Sequence, residues 1–245
     1  MTAQSKCQDT FQTRLEDRES ERFVPFDQHC VASGLLDPLG NNIAVSDREL
    51  LELVLERSAP ISSISAIASH LLEKFGSFAE VLSANHHKLA EFGKCDETVC
   101  NDLALIRIAA QRLLRGMVCQ RPLMSCWSEL IDYCRSLLAF ETREVVLIIF
   151  LDDQQRIIGD EVHSLGSAHR APVYVREIML RCLVHNASGL VIVHNHPSGD
   201  LTPSQLDIEQ TREIAQTCLA LDITLLDHFI VARDGFVSLR NAQLF

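Results

Sequence analysis

The segment Val191–Asp207 places two histidines at the end of an apolar run and follows them with a serine and an aspartate. The apolar stretch Gly189–Val193 predicts a buried strand that leads into these histidines. Side chains two residues apart on a strand point to the same face, so His194 and His196 can converge on one point. The pattern therefore requires a fold in which two imidazoles at the end of a strand lie beside the helix that follows it.

The residues after the second histidine predict the start of that helix. Thr202 is the expected N-cap, with Pro203 at the first helical position and Gln205 three residues after the cap. Ser204 and Asp207 are three residues apart and share a helix face. Two imidazoles and one carboxylate, with a fourth position left for water, form the ligand set of a catalytic zinc ion.

Three short motifs resemble the bacterial RadC-like family, whose domain has the JAMM (MPN-type) metalloprotease signature. They are His-Asn-His-Pro-Ser-Gly-Asp at 194–200, Thr-Pro-Ser at 202–204 and Leu-Asp-His-Phe-Ile-Val at 226–231. The resemblance runs from about Ser46 to about Leu239 and is dense from Glu144 onward. It implies a hydrolase that cleaves a peptide or isopeptide bond with metal-activated water.

The resemblance also implies roles for individual residues. One Zn²⁺ per chain would be held by His194, His196 and Asp207, with a peptide or protein as the substrate. Glu144, just before the first strand, would be the general base, and Ser204 would bond the tetrahedral oxyanion.

Other glutamates near the expected site remain alternative bases. They are Glu141 on the same turn, Glu161 on the following hairpin and Glu177 on the next helix.

Three further polar residues lie close to the motif and are not assigned as ligands. Asn195 faces away from the metal if the strand is regular. Asp227 and His228 are adjacent on a strand, so they point to opposite faces and cannot both enter one site. His228 is expected to be a buried, hydrogen-bonded histidine that orients the sheet or supports a metal ligand.

The rest of the chain predicts a leader and a helical domain ahead of the catalytic one. Residues 1–40 are polar with few periodic apolar positions and predict a flexible leader, residues 41–119 predict an all-helical domain, and residues 124–245 the JAMM/MPN domain. Residues 120–124 are the expected linker. The fold class is therefore α/β: an all-helical N-terminal domain followed by a mixed-sheet α/β sandwich of JAMM/MPN (cytidine-deaminase-like) type, with helices on both sheet faces.

In the RadC-like family the helical region resembles paired helix–hairpin–helix elements, which grip DNA backbones. Here Phe-Gly-Lys-Cys-Asp-Glu at 92–97 lacks the second glycine of the hairpin turn and adds two acids. Positions 41–120 carry eight basic and ten acidic residues, and the net charge of the chain is −11. Nucleic-acid binding is therefore possible but disfavoured by charge. A DNA-associated accessory protein is the alternative function.

Composition narrows the class of protein. Nine cysteines without a CxxC pair predict reduced thiols in a cytoplasmic protein, with Cys182 and Cys218 as small core residues. The longest apolar run, Val145–Leu151, is too short to span a membrane, and the first residues lack the apolar core of a signal peptide. A deaminase-like zinc enzyme is disfavoured because the His-x-Glu and Pro-Cys-x-x-Cys signature is absent. The sequence leaves the oligomeric state open.

Overall fold

The structure is a computed structural model that describes residues 45–93, 95–165 and 173–245. The predicted leader at 1–40 lies outside the described residues, as do residues 41–44, Lys94 and residues 166–172. Leu51–Phe245 form one compact unit.

The described chain begins with five α-helices. They are α1 (Asp47–Leu55), α2 (Ile64–Phe75), α3 (Phe78–Ser83), α4 (His86–Gly93) and α5 (Glu97–Val118), with a 3₁₀ turn at Ile61–Ser63. Gly76 ends α2 with a positive φ of 98°. Gly93 ends α4 where a Cβ would lie 2.5 Å from a methyl of the buried Leu71, so a larger residue would force that side chain to shift. The all-helical N-terminal region is confirmed.

The second half contains a mixed five-stranded sheet with three helices. Its elements are α6 (Trp127–Leu138), β1 (Val145–Leu151), β2 (Ile157–Leu165), α7 (Val175–Val184), β3 (Gly189–Asn195), α8 (Gln205–Leu219), β4 (Thr224–Ala232) and β5 (Gly235–Ser238). The strand order is β2-β1-β3-β4-β5. Only β3 and β4 run parallel, so β3 lies at the centre between an antiparallel and a parallel neighbour.

Helices cover both faces of this sheet, as predicted. One face packs against α6 through a core that includes Leu130, Leu147 and Phe229. The other packs against α7 and α8 through a core that includes Ile148 and Ile192. Cys182 and Cys218 are fully buried in this second core, as expected for small apolar residues. All seven cysteines in the described part of the chain are free thiols.

Strand β4 runs unbroken through the buried Asp227. The polar side chain breaks the apolar pattern in the sequence, but Ser238 Oγ donates to it at 2.6 Å and the His228 N–H at 2.7 Å. The pairing with β3 shifts between Leu190 and Val191, which makes Leu226 the extra residue of a β-bulge.

The expected linker at 120–124 is tied to the sheet edge. The Gln120 N–H donates to the Ile157 carbonyl at 3.0 Å, and the Leu123 N–H to that of Gln155 at 2.8 Å. A 3₁₀ turn at Leu123–Ser125 then leads into α6. Among the described helices, none is long and apolar enough to cross a membrane.

Candidate metal centre

The two histidines of the motif lie at the carboxyl end of the central strand β3. His194 is paired with β1 and β4 on either side and is almost fully buried. His196 follows the strand, where its N–H donates to the Val231 carbonyl at 3.2 Å and keeps the chain extended. The strand alternation therefore brings both rings to one face, and their centroids are 4.9 Å apart.

The carboxylate of Asp207 comes from the first turn of α8. The helix begins at Gln205 with Ser204 as its N-cap, so the expectation that Thr202 caps it was wrong. The cause is a capping box: Ser204 Oγ accepts from the Asp207 N–H at 3.1 Å, and Asp207 Oδ2 accepts from the Ser204 N–H at 2.8 Å. These paired bonds fix the Asp207 side chain beside the histidines.

The spacing of the two imidazole nitrogens and the Asp207 carboxylate is close to that around one tetrahedrally bound ion. His194 Nε2 lies 3.1 Å from His196 Nε2 and 3.6 Å from Asp207 Oδ1. His196 Nε2 lies 3.7 Å from Asp207 Oδ2. Metal–donor bonds of about 2.0–2.2 Å would give tetrahedral edges of roughly 3.3–3.6 Å. In the described part of the chain, these residues form the one cluster of three or more acidic, histidine or cysteine side chains able to hold a metal.

A hydrogen-bond chain fixes which nitrogen of His194 carries its proton. The Thr211 hydroxyl donates to the Asp207 carbonyl at 2.5 Å, so its oxygen must accept from His228 Nδ1 at 2.6 Å. His228 Nε2 then has only a lone pair, and it accepts from His194 Nδ1 at 2.8 Å. The lone pair of His194 Nε2 is left to point at His196 and Asp207.

His196 is oriented in the same way by the loop that follows it. Its Nδ1 lies 2.5 Å from the Asp200 carbonyl, which can only accept, so Nδ1 carries the proton. When the His196 ring is neutral, two Nε2 lone pairs thus meet at 3.1 Å beside a carboxylate. A cation between them relieves this repulsion, and the donor set is the one zinc prefers.

The local environment keeps His194 neutral and Asp207 ionised at neutral pH, whereas the neighbouring Asp207 carboxylate raises the pKa of His196. Burial, with a smaller contribution from His196, lowers the pKa of His194 to about 4 and leaves the ring neutral. Burial also lowers the pKa of His228 well below its usual value. Although burial alone would raise the pKa of Asp207, its proximity to His196 and His194 and its hydrogen bonds from Ser204 hold it far below the usual range.

The sequence match extends over this whole region. Residues 124–244 match the family model of the RadC-like JAB domain. This is a RadC-like protein with a JAB/MPN-type domain. The mixed sheet with helices on both faces and the His-His-Asp triad agree with that domain.

In this RadC-like domain, Glu144 is placed by the side chain of Asn195. Asn195 Oδ1 accepts from the Val145 N–H at 2.7 Å, and its Nδ2 donates to the Arg143 carbonyl at 3.0 Å. Asn195 is therefore turned away from the metal ligands, as expected, and grips the chain on both sides of Glu144. Sequence reasoning did not foresee this positioning role.

The strand register puts Glu144 on the same face as the metal ligands. Val146 of β1 lies opposite His194 of β3, and opposed residues of an antiparallel pair share a face. Continued two residues beyond this pair, the same register sets Glu144 opposite His196. The negative charge of Glu144 is among the causes that raise the pKa of His196, after the larger effect of the neighbouring Asp207 carboxylate.

The alternative bases lie in other environments. Both oxygens of Glu161 are taken up by Arg181, and His185 Nε2 lies 2.7 Å from Oε1. Glu177 is exposed in the first turn of α7. Glu141 is exposed and lines a separate cavity.

Ser204 has a single hydroxyl hydrogen, which it donates to Asp207 Oδ2 at 2.6 Å. To bond an oxyanion, as the family resemblance implies, the hydroxyl has to leave this carboxylate. The Ser204 hydroxyl can therefore donate either to Asp207 or to an oxyanion, but not to both at once.

Asp227 and His228 point to opposite faces of β4, as expected. Asp227 bonds to Ser238 on the α6 face, while His228 contacts His194 on the ligand face. Thr211, which completes the chain of hydrogen bonds behind His194, was not predicted from the sequence. The signal was its position one turn after Asp207 on the same helix.

Proposed function

We propose that this RadC-like protein is a zinc-dependent hydrolase of the JAMM type that cleaves a peptide or isopeptide bond. The observation that carries the proposal is the convergence of His194, His196 and Asp207, whose free lone pairs point at one position while Glu144 lies on the same face. Three protein ligands leave a fourth position open, which distinguishes catalytic from structural zinc sites.

Zinc, when bound by these three residues, lowers the pKa of a coordinated water toward about 7 and so supplies a nucleophile at neutral pH. The chain supplies the rest. Glu144 accepts a proton from the attacking water and returns it to the leaving amine. The hydrogen bonds of Asn195 to Val145 and Arg143 hold the backbone on either side of Glu144 during both proton transfers. Ser204 turns its hydroxyl from Asp207 to the developing oxyanion.

Two variants and a control test this division of roles. Wild type is expected to hold about one zinc per chain after washing with a weak chelator, and His196→Ala to lose it. Glu144→Gln should keep the zinc but lose roughly 10²–10⁴ in turnover on a panel of peptide and isopeptide-linked substrates. The matched control is Glu177→Gln, which should keep both properties.

The opposite pattern would refute the assignment. If Glu144→Gln turns over like wild type while Glu177→Gln does not, the base lies on α7. If His196→Ala keeps its zinc, the ion is held elsewhere.

The alternative of a DNA-associated protein gains no support from the turn between α4 and α5. Asp96 caps α5, and its carboxylate accepts from the Val99 N–H at 2.9 Å. A backbone phosphate would bind at this helix end, where a fixed negative charge already lies. Glu97 adds a second negative charge in the first turn.

A further inference from the structure

The cavity that Glu141 lines, of about 510 Å³, lies between the N-terminal helices and the loop that precedes β1. Its volume falls within the usual range for small-molecule sites, about 300–1,000 Å³. None of the metal ligands lines it. The charged groups that do are Lys74, Lys88, Arg107 and Arg233 together with Glu80 and Glu141.

The lining is positively charged although the chain as a whole is strongly acidic. Four basic side chains face two carboxylates, an excess of two positive charges in a protein of net charge −11. Arg233 Nη1 lies 2.6 Å from Glu80 Oε1, so that pair is internally neutralised. The excess is carried by Lys74, Lys88 and Arg107 opposite Glu141.

Arg107 has a donor that the protein does not satisfy. Its Nε is buried and has no hydrogen-bond partner among the residues that the structure describes. Buried donors are almost always paired, so the guanidinium of Arg107 has hydrogen-bonding capacity left over beside the cavity that this residue lines. Lys88, from α4, is partly buried at the same cavity.

The charge and geometry select the class of ligand. A phosphate group carries about −1.5 to −2 charge at neutral pH and has several acceptor oxygens, whereas a carboxylate carries −1. Guanidinium and ammonium groups that arrive from separate helices can each take a different oxygen of such a group. We propose that this cavity binds a small phosphate-bearing ligand through Arg107, Lys88 and Lys74.

Asn85 and Asn101 also line the cavity and offer neutral hydrogen-bonding groups. These amides suit the non-phosphate part of a phosphate ester, whereas free phosphate would contact only the basic side chains of the cavity. Comparing inorganic phosphate, tripolyphosphate and adenosine monophosphate therefore separates these two sources of the same chemistry.

The test is calorimetric titration of the full chain with each of the three probes at constant ionic strength. We expect saturable binding of one molecule per chain by at least one probe. Loss of a charge-assisted hydrogen bond should weaken binding roughly ten- to a hundredfold in Arg107→Gln. Lys88→Gln is the second variant, and thermal melts without ligand show whether either has lost its fold.

Two controls make the result specific. Arg112→Gln removes an exposed arginine of the same helix that does not line the cavity, and it should bind like wild type. His196→Ala removes a candidate metal ligand and should also bind like wild type, because the cavity is separate from the metal centre.

Three outcomes would overturn the proposal. The first is no saturable binding of any probe. The second is binding that is lost in His196→Ala but kept in Arg107→Gln and Lys88→Gln, which would place the phosphate on the metal. The third is binding of a single-stranded oligonucleotide without binding of the small probes, which would indicate a nucleic-acid surface instead.

Discussion

The hydrogen-bond chain behind His194 predicts that Thr211→Val weakens zinc binding without removing any ligand. Valine has nearly the shape of threonine but cannot accept the proton of His228 Nδ1, which lies 2.6 Å from the hydroxyl. His228 must then keep a buried, unpaired N–H or move its proton to Nε2. In the second case His194 must carry its own proton on Nε2, where the metal would bind.

The magnitude follows from these two options. A buried unpaired donor costs about 1–3 kcal/mol of folding free energy. Loss of an outer-shell partner typically weakens metal binding about 10- to 100-fold, which corresponds to about 1.4–2.8 kcal/mol. Both effects should be visible in Thr211→Val, in a urea melt and in a zinc titration respectively.

Competition for zinc against a chromophoric chelator at neutral pH measures the second effect. Thr217→Val is a matched control, because Thr217 lies on the same helix and donates to a carbonyl one turn back at 2.8 Å. Thr211→Ser keeps the hydroxyl and should restore affinity. Wild-type affinity in folded Thr211→Val, or an equal loss in Thr217→Val, would refute the reasoning about the tautomer.

Four other expectations can be measured directly. Asn195→Asp should keep its zinc but lose turnover, because the Nδ2 donor, 3.0 Å from the Arg143 carbonyl, becomes an acceptor. Unchanged turnover would contradict the positioning role of Asn195. Tyr133→Phe should lower the free energy of unfolding by about 1 kcal/mol, since the hydroxyl donates to Asp160 at 2.8 Å, whereas Tyr174→Phe, at an exposed site, should not. The hydrogen bond from Arg181 lowers the pKa of Glu161 from 4.5 to about 2. The ionised Glu161 therefore stabilises the folded protein above pH 4.5, and this contribution is lost as the pH falls toward 2. Glu161→Gln should flatten the curve of unfolding free energy against pH over this range, whereas Glu177→Gln should not. Duplex DNA should bind the full chain more weakly than micromolar at physiological salt, and a tighter, steeply salt-dependent complex would contradict the charge argument.

The sequence was sufficient to predict the elements whose cause is local. The alternation of a strand puts His194 and His196 on one face whatever the rest of the chain does, and the α/β class follows from the order of the apolar runs. The N-cap of α8 was misplaced because Thr202 and Ser204 both begin plausible capping patterns. Ser204 prevails because Asp207 returns the bond, and that reciprocity depends on side-chain geometry as well as on residue type.

Features that depend on long-range pairing could not be predicted in the same way. The contact of His228 with His194 requires β4 to lie parallel to β3 with a bulge at Leu226. The cavity at Arg107 joins α5 to the turn at Arg233, which is more than a hundred residues away in sequence. No local pattern marks either pair.

The three candidate ligands are held by three different parts of the fold. His194 is fixed from within the core, through His228 and Thr211, and Asp207 by the first turn of α8. His196 is held by the Asp200 carbonyl, in a loop whose turn has Gly199 at φ 86°. Since Thr211 bonds both the Asp207 carbonyl and His228, the position of α8 sets two ligands together, while the His196 ring takes its orientation from the loop. A change in that loop would therefore move one ligand and leave the other two in place.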